Sequence, residues 1–294
     1  MIISVSDDKL KVCANTNGAT LSSVKRLRDG REFLWQGSED SWTEQDVVIF
    51  PFVARQKDGW YTVDGKRYDI PLHGLCRHSD FTEDRVSDSE TVLTNRWNEE
   101  TLKKYPYKYE YSVRFKVKNG ALTVTHTAKN VDDKLMYFMM GAHPAFNVCA
   151  TYKDGKIDTG ANYIDFLKEI SPDYLTLEEK GHYITGKAPF GTISKLSVGK
   201  DVMIKYKTVM LTDVGTDKLA LRLADGESVY FDFGEVDVLA FWSMEESGAY
   251  VCIEPWHGAP DKLEPDRELK DKAFVHTLEA GETFSYTYKV SFNE

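Results

Sequence analysis

Three short segments concentrate the residue types that can move protons or hold a polar ligand: residues 73–81 (HGLCRHSDF), 141–147 (GAHPAFN) and 252–258 (CIEPWHG). Each sets a His, Arg or Glu beside aromatic residues and a backbone-fixing Gly or Pro, which is how a β-scaffold presents polar groups in a pocket. Together they supply an acid, a base, cationic donors and a tryptophan able to stack on a sugar. His143 precedes Pro144, which keeps His143 extended and interrupts a regular ladder. Its imidazole is either aimed into a pocket or a core histidine with a satisfied hydrogen bond. Glu254 follows the run Tyr250-Val-Cys-Ile253, and alternation places it on the face of Tyr250 and Cys252, at the strand end. A carboxylate there is costly to bury, so it serves chemistry or partners a buried arginine.

Arg55, closing the run Phe50-Pro-Phe-Val-Ala-Arg55, and Arg77 both interrupt apolar surroundings. A guanidinium fork suits sugar hydroxyls, carboxylates or phosphate, and equally a structural ion pair. His73 adds a third donor beside Gly74. Trp256 can stack on the apolar face of a sugar or simply fill the core. His78, His126, His182, His257 and His276 show no second feature in the sequence and are read as structural.

The elements that must position these residues are strands. Tyr109 to Val117 alternates with period two, Asn119-Gly120 follows, and Leu122, Val124 and His126 continue on one face, which predicts a hairpin. The same pattern flanks Asp64-Gly65 and Asp225-Gly226 and recurs from Phe284 to Phe292. Helical periodicity is confined to 163–168 and 175–180, which predicts a turn or two of helix in each. The Gly-, Lys- and Asp-rich stretch 150–200 is expected to hold loops and short helices. No repeat or linker divides the chain, so the expected architecture is all-β: one large antiparallel β-sandwich domain over 1–294 with few short helices.

Composition narrows the class of partner. The 294 residues carry 37 Lys+Arg against 47 Asp+Glu, a net charge of −10 that argues against nucleic acid or an anionic membrane. A hydrophobic share of 41% supports a packed core. The N-terminal MIISVSDDKLKV has no long apolar region, and the apolar stretch 135–146 is 12 residues against the roughly 20 of a membrane helix, so a cytoplasmic protein is expected. Cys13, Cys76, Cys149 and Cys252 are widely spaced without a C-x-x-C pair, which predicts free, largely buried thiols rather than a metal site or disulfide framework.

The three segments, in this order and at these separations, resemble the HGFAR, G-x-HPAF and CIEPW segments of the aldose 1-epimerase (mutarotase) family, in particular its smaller LacX-like branch. The resemblance runs from the Phe50–Arg55 stretch through Asp261. It implies a galactose-mutarotase-like β-supersandwich that binds an aldose, with His143 as general acid and Glu254 as general base, and with Arg55, His73, Arg77 and Trp256 lining the sugar site. Two departures stand out. Where the family usually has a pocket Asp, this chain aligns Lys207-Thr208, with Asp213 nearby but out of register. The HGFAR segment carries Leu75 and Cys76, and His257 follows EPW where a small residue or Cys is more usual.

Anomer exchange needs a proton to leave the C1 hydroxyl while another reaches the ring oxygen, a task for two opposed proton-transfer groups without metal or cofactor. A small-molecule sugar is the expected partner, for a monomer or homodimer. Three alternatives are set against it. A hexose-6-phosphate epimerase would use the arginines on phosphate. A non-catalytic carbohydrate-binding or sensory protein would keep the pocket and lose the chemistry. A glycoside hydrolase would need a second carboxylate opposite Glu254, for which Asp80 is the nearest candidate.

Overall fold

The computed structural model describes residues 1–148, 162–244 and 248–293, together with the backbone of Thr151–Lys153 and Lys156–Asp158. The alternating segment forms the strand Tyr109–Lys118, which turns through Asn119 and Gly120, both at positive φ, into Ala121–Asn130. Register runs from Tyr109 opposite Asn130 to Lys118 opposite Ala121. That positive φ pair is the geometry of a hairpin turn whose twist matches its strands. Trp60–Val63 with Lys66–Asp69, and Lys218–Arg222 with Ser228–Asp232, form the other two expected hairpins. Thr283–Phe292 joins Ser228–Asp232 to Ala121–Asn130.

These strands build a nine-stranded antiparallel sheet, edged by Ile193–Ser197 at one side and Thr82–Ser87 at the other. A seven-stranded sheet packs on it, with Tyr250–His257 next to Val238–Trp242 and also paired with the short strands Met140–Gly141 and Ala145–Asn147. Phe146 meets Phe231, and Phe166 meets Phe241, across the two layers. Fully burying an aromatic or aliphatic side chain of this kind contributes about 1.5–3 kcal/mol. The expected sandwich of antiparallel strands is the architecture found.

The expectation fails in the middle of the chain. Tyr163–Ile170 and Asp173–Leu177 are strands, not helical turns, and Ile184–Pro189 and Ile193–Ser197 are strands where loops were expected. In the first of these the reason is a bulge: register shifts between Asp165 and Ile170, with Leu167 at φ 61°, so Phe166 and the next buried residue, Ile170, fall at a helix-like i, i+4 spacing. Among the described residues helix is limited to Glu99–Leu102, capped at Asn98 by a reciprocal Asn98–Thr101 pair, and Lys200–Tyr206, besides three 3-10 turns. No helix among the described residues is long and apolar enough to cross a membrane. Cys76 and Cys252 are buried free thiols and Cys13 is half-buried; Cys149 lies outside the described residues.

Candidate active site

Strand register makes the centre of the site. Gly141 pairs with Trp256 and Ala145 pairs with Cys252, and the chain between them leaves the ladder at His143-Pro144. Those two pairs set His143 opposite Glu254. Ala142 N–H still donates to Pro255 C=O and Ile253 N–H to Pro144 C=O, so the break is pinned at both ends. His143 Nε2 lies 3.1 Å from Glu254 Oε2. Glu254 sits inside the strand Tyr250–His257, not at its end as alternation alone placed it. The two groups are side by side, rather than opposed across a sugar.

Neither bland reading of this pair holds. Glu254 is 1% exposed, no arginine pairs with it, and neither of its oxygens has an aligned hydrogen bond among the described residues. His143 Nδ1 is likewise buried and without a partner. Native proteins seldom leave such groups unsatisfied, and each costs about 1–3 kcal/mol or more. Burial pushes the Glu254 carboxyl well above its ordinary range, and Asp46 raises it further. Burial drives His143 down to about 3, against a contribution from its own backbone that raises it. Burial therefore favours the uncharged pair, with the carboxyl holding the proton.

His143 is anchored from behind by Asp46, a residue without a sequence signal. Asp46 Oδ1 accepts the backbone N–H of His143 at 3.2 Å and of Val47 at 2.8 Å, and Oδ2 accepts that of Leu21 at 3.2 Å. Burial raises Asp46 to about 6 against these three hydrogen bonds.

The other expected residues line the same cavity of about 260 Å³, each in a different state. His73 has φ 61°, a left-handed backbone that a non-glycine residue holds only when fixed from outside. The loops 50–55 and 73–76 fix it: His73 N–H donates to Ala54 C=O at 2.9 Å, and Ala54 N–H donates to His73 Nδ1 at 3.2 Å. Gly74, at φ 81°, permits the approach, since a Cβ there would lie 2.3 Å from Phe50 O. With Nδ1 accepting, the ring proton of neutral His73 resides on Nε2, and burial first, then His143, keep its pKa well below the ordinary value. Arg77 is an ion pair with Glu44, its Nε donating to Oε1 at 3.2 Å and Nη2 to the other oxygen. Arg55 is exposed on the rim and has no acidic partner among the described residues. Trp256 is 3% exposed and packed over Gly141, so it is both core and pocket wall.

Several lining residues carried no sequence signal. Trp42 and Trp242 form an aromatic wall, with ring centroids 5.1 and 5.7 Å from that of His143 and an edge-on contact of 5.4 Å between them. Leu177, Thr208, Met210 and the exposed His182 also line the cavity. Thr208 occupies the place where the resemblance implied an Asp. Asp213 points away into an ion pair with Lys187 at 2.7 Å. Asp80 is exposed, bonded to Asn17, and outside the cavity. Glu254 is thus the one carboxylate among the described residues lining the pocket, which removes the pair a glycoside hydrolase needs.

Two clusters among the described residues bring three potential metal ligands within 4.8 Å of one another: His143 with Cys252 and Glu254 in the pocket, and Asp237 with His257 and His276 away from it.

Comparison with known proteins gives a consistent result. The family model described as aldose 1-epimerase matches residues 1–291. The chromosomal LacX protein of Lactococcus lactis is 26% identical over 309 aligned residues, covering 99% of each chain. A galactose mutarotase-like protein from Lactobacillus casei superposes with a TM-score of 0.91 at 27% identity, covering 100% of both chains. A galactose mutarotase related enzyme from Lactobacillus acidophilus gives 0.91 at 26% identity, covering 100% of this chain and 98% of the other.

Proposed function

The chain belongs to the aldose 1-epimerase family, and from that premise we propose that it interconverts the α and β anomers of an aldohexose, with His143 and Glu254 exchanging the two protons. The observation that carries the reading is a buried carboxylate with both oxygens unpaired, 3.1 Å from an imidazole on the floor of a cavity. A sugar supplies what these groups lack. The C1 hydroxyl donates to a Glu254 oxygen and the ring oxygen accepts from His143. These two sugar oxygens share one carbon, so the groups that serve them must be adjacent, as His143 and Glu254 are.

Ring opening then proceeds from the state in which sugar binding has passed the pair's proton from Glu254 to His143: Glu254 withdraws the C1 hydroxyl proton while His143 protonates the ring oxygen and the bond from C1 to that oxygen breaks. The aldehyde turns about its C1–C2 bond, the ring hydroxyl attacks the other face, and both protons return to their starting groups. No net proton is consumed, so one proton held within the pair suffices for every turnover. Donors around the pocket fix the remaining hydroxyls; positioning of this kind can supply several kcal/mol of the barrier. His73 offers Nε2–H, Thr208 a hydroxyl and Arg55 a free cation, while Trp42 and Trp242 give the sugar an apolar wall.

Arg55 favours one second reading, in which the substrate is a hexose 6-phosphate: an unpaired guanidinium on the rim suits a terminal phosphate. Arg77 counts for less, because Glu44 already occupies its fork.

The test is NMR magnetisation exchange between anomer signals across glucose, galactose and glucose 6-phosphate, with wild type and Glu254→Gln. Exchange faster than the spontaneous rate in wild type and abolished by Glu254→Gln is expected. Binding without any acceleration by wild type would favour the non-catalytic carbohydrate-binding alternative.

A further inference from the structure

The strand that carries Glu254 ends in a second polar cluster, on its opposite face and outside the sugar pocket. Val238 pairs with Trp256, so Asp237 falls beside His257, the last residue of Tyr250–His257. Met140 pairs with His257 and Phe138 pairs with His276, which brings His276 to the same corner. Three chain segments far apart in sequence thus deliver a carboxylate and two imidazoles to one point. Asp237 Oδ2 and His276 Nε2 are 2.7 Å apart, and one ligand atom from each of the three residues lies within 4.8 Å of the others.

His257 is the unexplained member. It is 6% exposed, wedged against Phe284 and Tyr286, and its Nε2 is buried without a hydrogen-bond partner. A buried imidazole with one ring nitrogen unpaired, within ligand reach of a carboxylate and a second imidazole, is an incomplete set. We propose that Asp237, His257 and His276 form a binding site for one divalent transition-metal ion of the zinc type. Two imidazoles and a carboxylate are a ligand set such ions accept, with solvent completing the coordination. Ligand atoms about 2.0–2.1 Å from a common ion sit roughly 3.3 Å apart in a tetrahedral arrangement, so Asp237 and His276, 2.7 Å apart, need only a small outward adjustment. The Asp237 and His276 side chains are each 26% exposed, which gives the ion a way in from solvent. Once bound, the ion ties the strands Val238–Trp242 and Tyr250–His257 to His276–Leu278. It is a clamp behind the strand that carries Glu254 and takes no part in proton transfer.

The experiment uses full-length protein stripped with a chelator, then titrated with Zn²⁺ by calorimetry and with Co²⁺ by visible absorption. One equivalent per chain is expected, with a d–d spectrum of low-symmetry coordination and a Zn²⁺-dependent rise in the unfolding midpoint. His276→Ala and Asp237→Asn, both at partly exposed positions that leave the core intact, should weaken binding at least tenfold and remove the midpoint rise. His143→Ala should leave both unchanged. Absence of saturable binding in wild type would overturn the proposal, as would binding indifferent to His276→Ala and Asp237→Asn. Loss of binding in His143→Ala instead would overturn it by assigning the ion to the pocket cluster with Cys252 and Glu254.

Discussion

Tyr109–Lys118 in the nine-stranded sheet alternates buried residues with partly or fully exposed ones, whereas Tyr250–His257 in the seven-stranded sheet buries all eight. The first strand is stabilised by one apolar face and tolerates water on the other. The second is enclosed on both sides and still carries Glu254, His257 and, across the ladder, His143. Burial that strengthens one sheet places a cost on the other, because ionisable groups in a dry interior lose their solvation. The nine-stranded sheet is thus a foundation, and the enclosed strand is where stability is given up to hold ionisable groups in the interior.

The largest expected effect separates those roles. Glu254→Gln should cut anomer exchange by about 10²–10⁴-fold, the usual contribution of a proton-transfer group, while raising the urea midpoint at neutral pH because an unpaired buried acid is gone. A variant that lost stability along with activity would erase the distinction between the sheets. Phe115→Ala, in the foundation, should do the reverse: a loss of about 3–5 kcal/mol in stability, with exchange per folded molecule unchanged.

Acid sensitivity sharpens the contrast next. Burial pushes both His126 and His143 down to about 3, with His257 lowering His126 further. Between that value and the ordinary imidazole range the unfolded chain binds more protons than the folded one, so stability rises as pH increases from about 3 to 6.5. Asp46, raised to about 6, has the opposite sign: the folded chain holds its proton longer, and stability falls over the interval from its ordinary value to about 6. Urea midpoints across that range should therefore climb more steeply in Asp46→Asn than in wild type.

Smaller effects lie on the pocket wall and the outer surface. Trp42→Ala should raise KM for the sugar about tenfold with a lesser change in kcat, the signature of lost binding shared by ground and transition states. Thr287→Ala removes a hydroxyl contact to Thr125 of 2.9 Å on the exposed face and should shift stability by less than about 0.5 kcal/mol.

The same difference explains what could be read from the sequence. Half-exposed strands write their period into the chain, so the hairpins around Asn119-Gly120, Asp64-Gly65 and Asp225-Gly226 were legible. Strands buried on both faces do not: Val209–Thr212 has four buried residues in a row and no alternation to find. The bulge at Leu167 disguised a strand as a helical turn. At the site, His143, Glu254, His73 and Arg55 were visible because Pro or Gly neighbours or apolar runs mark them. Trp42, Trp242 and Asp46 were not, since each reaches the pocket or its back wall from a segment whose local pattern is unremarkable. Arg77 was found, but its pairing with Glu44, 33 positions away, has no local trace.

The break at His143-Pro144, held between two intact cross-strand pairs, has a consequence for how such a protein can diversify. Groups fixed by ladder register are copied faithfully so long as neither strand gains or loses a residue, whereas part of the wall, Trp42, Arg55, His73 and Thr208, comes from loops free to lengthen, shorten or change side chains. On the proposed function, appetite for a new sugar can drift through those loops while the proton exchange beneath them is inherited intact.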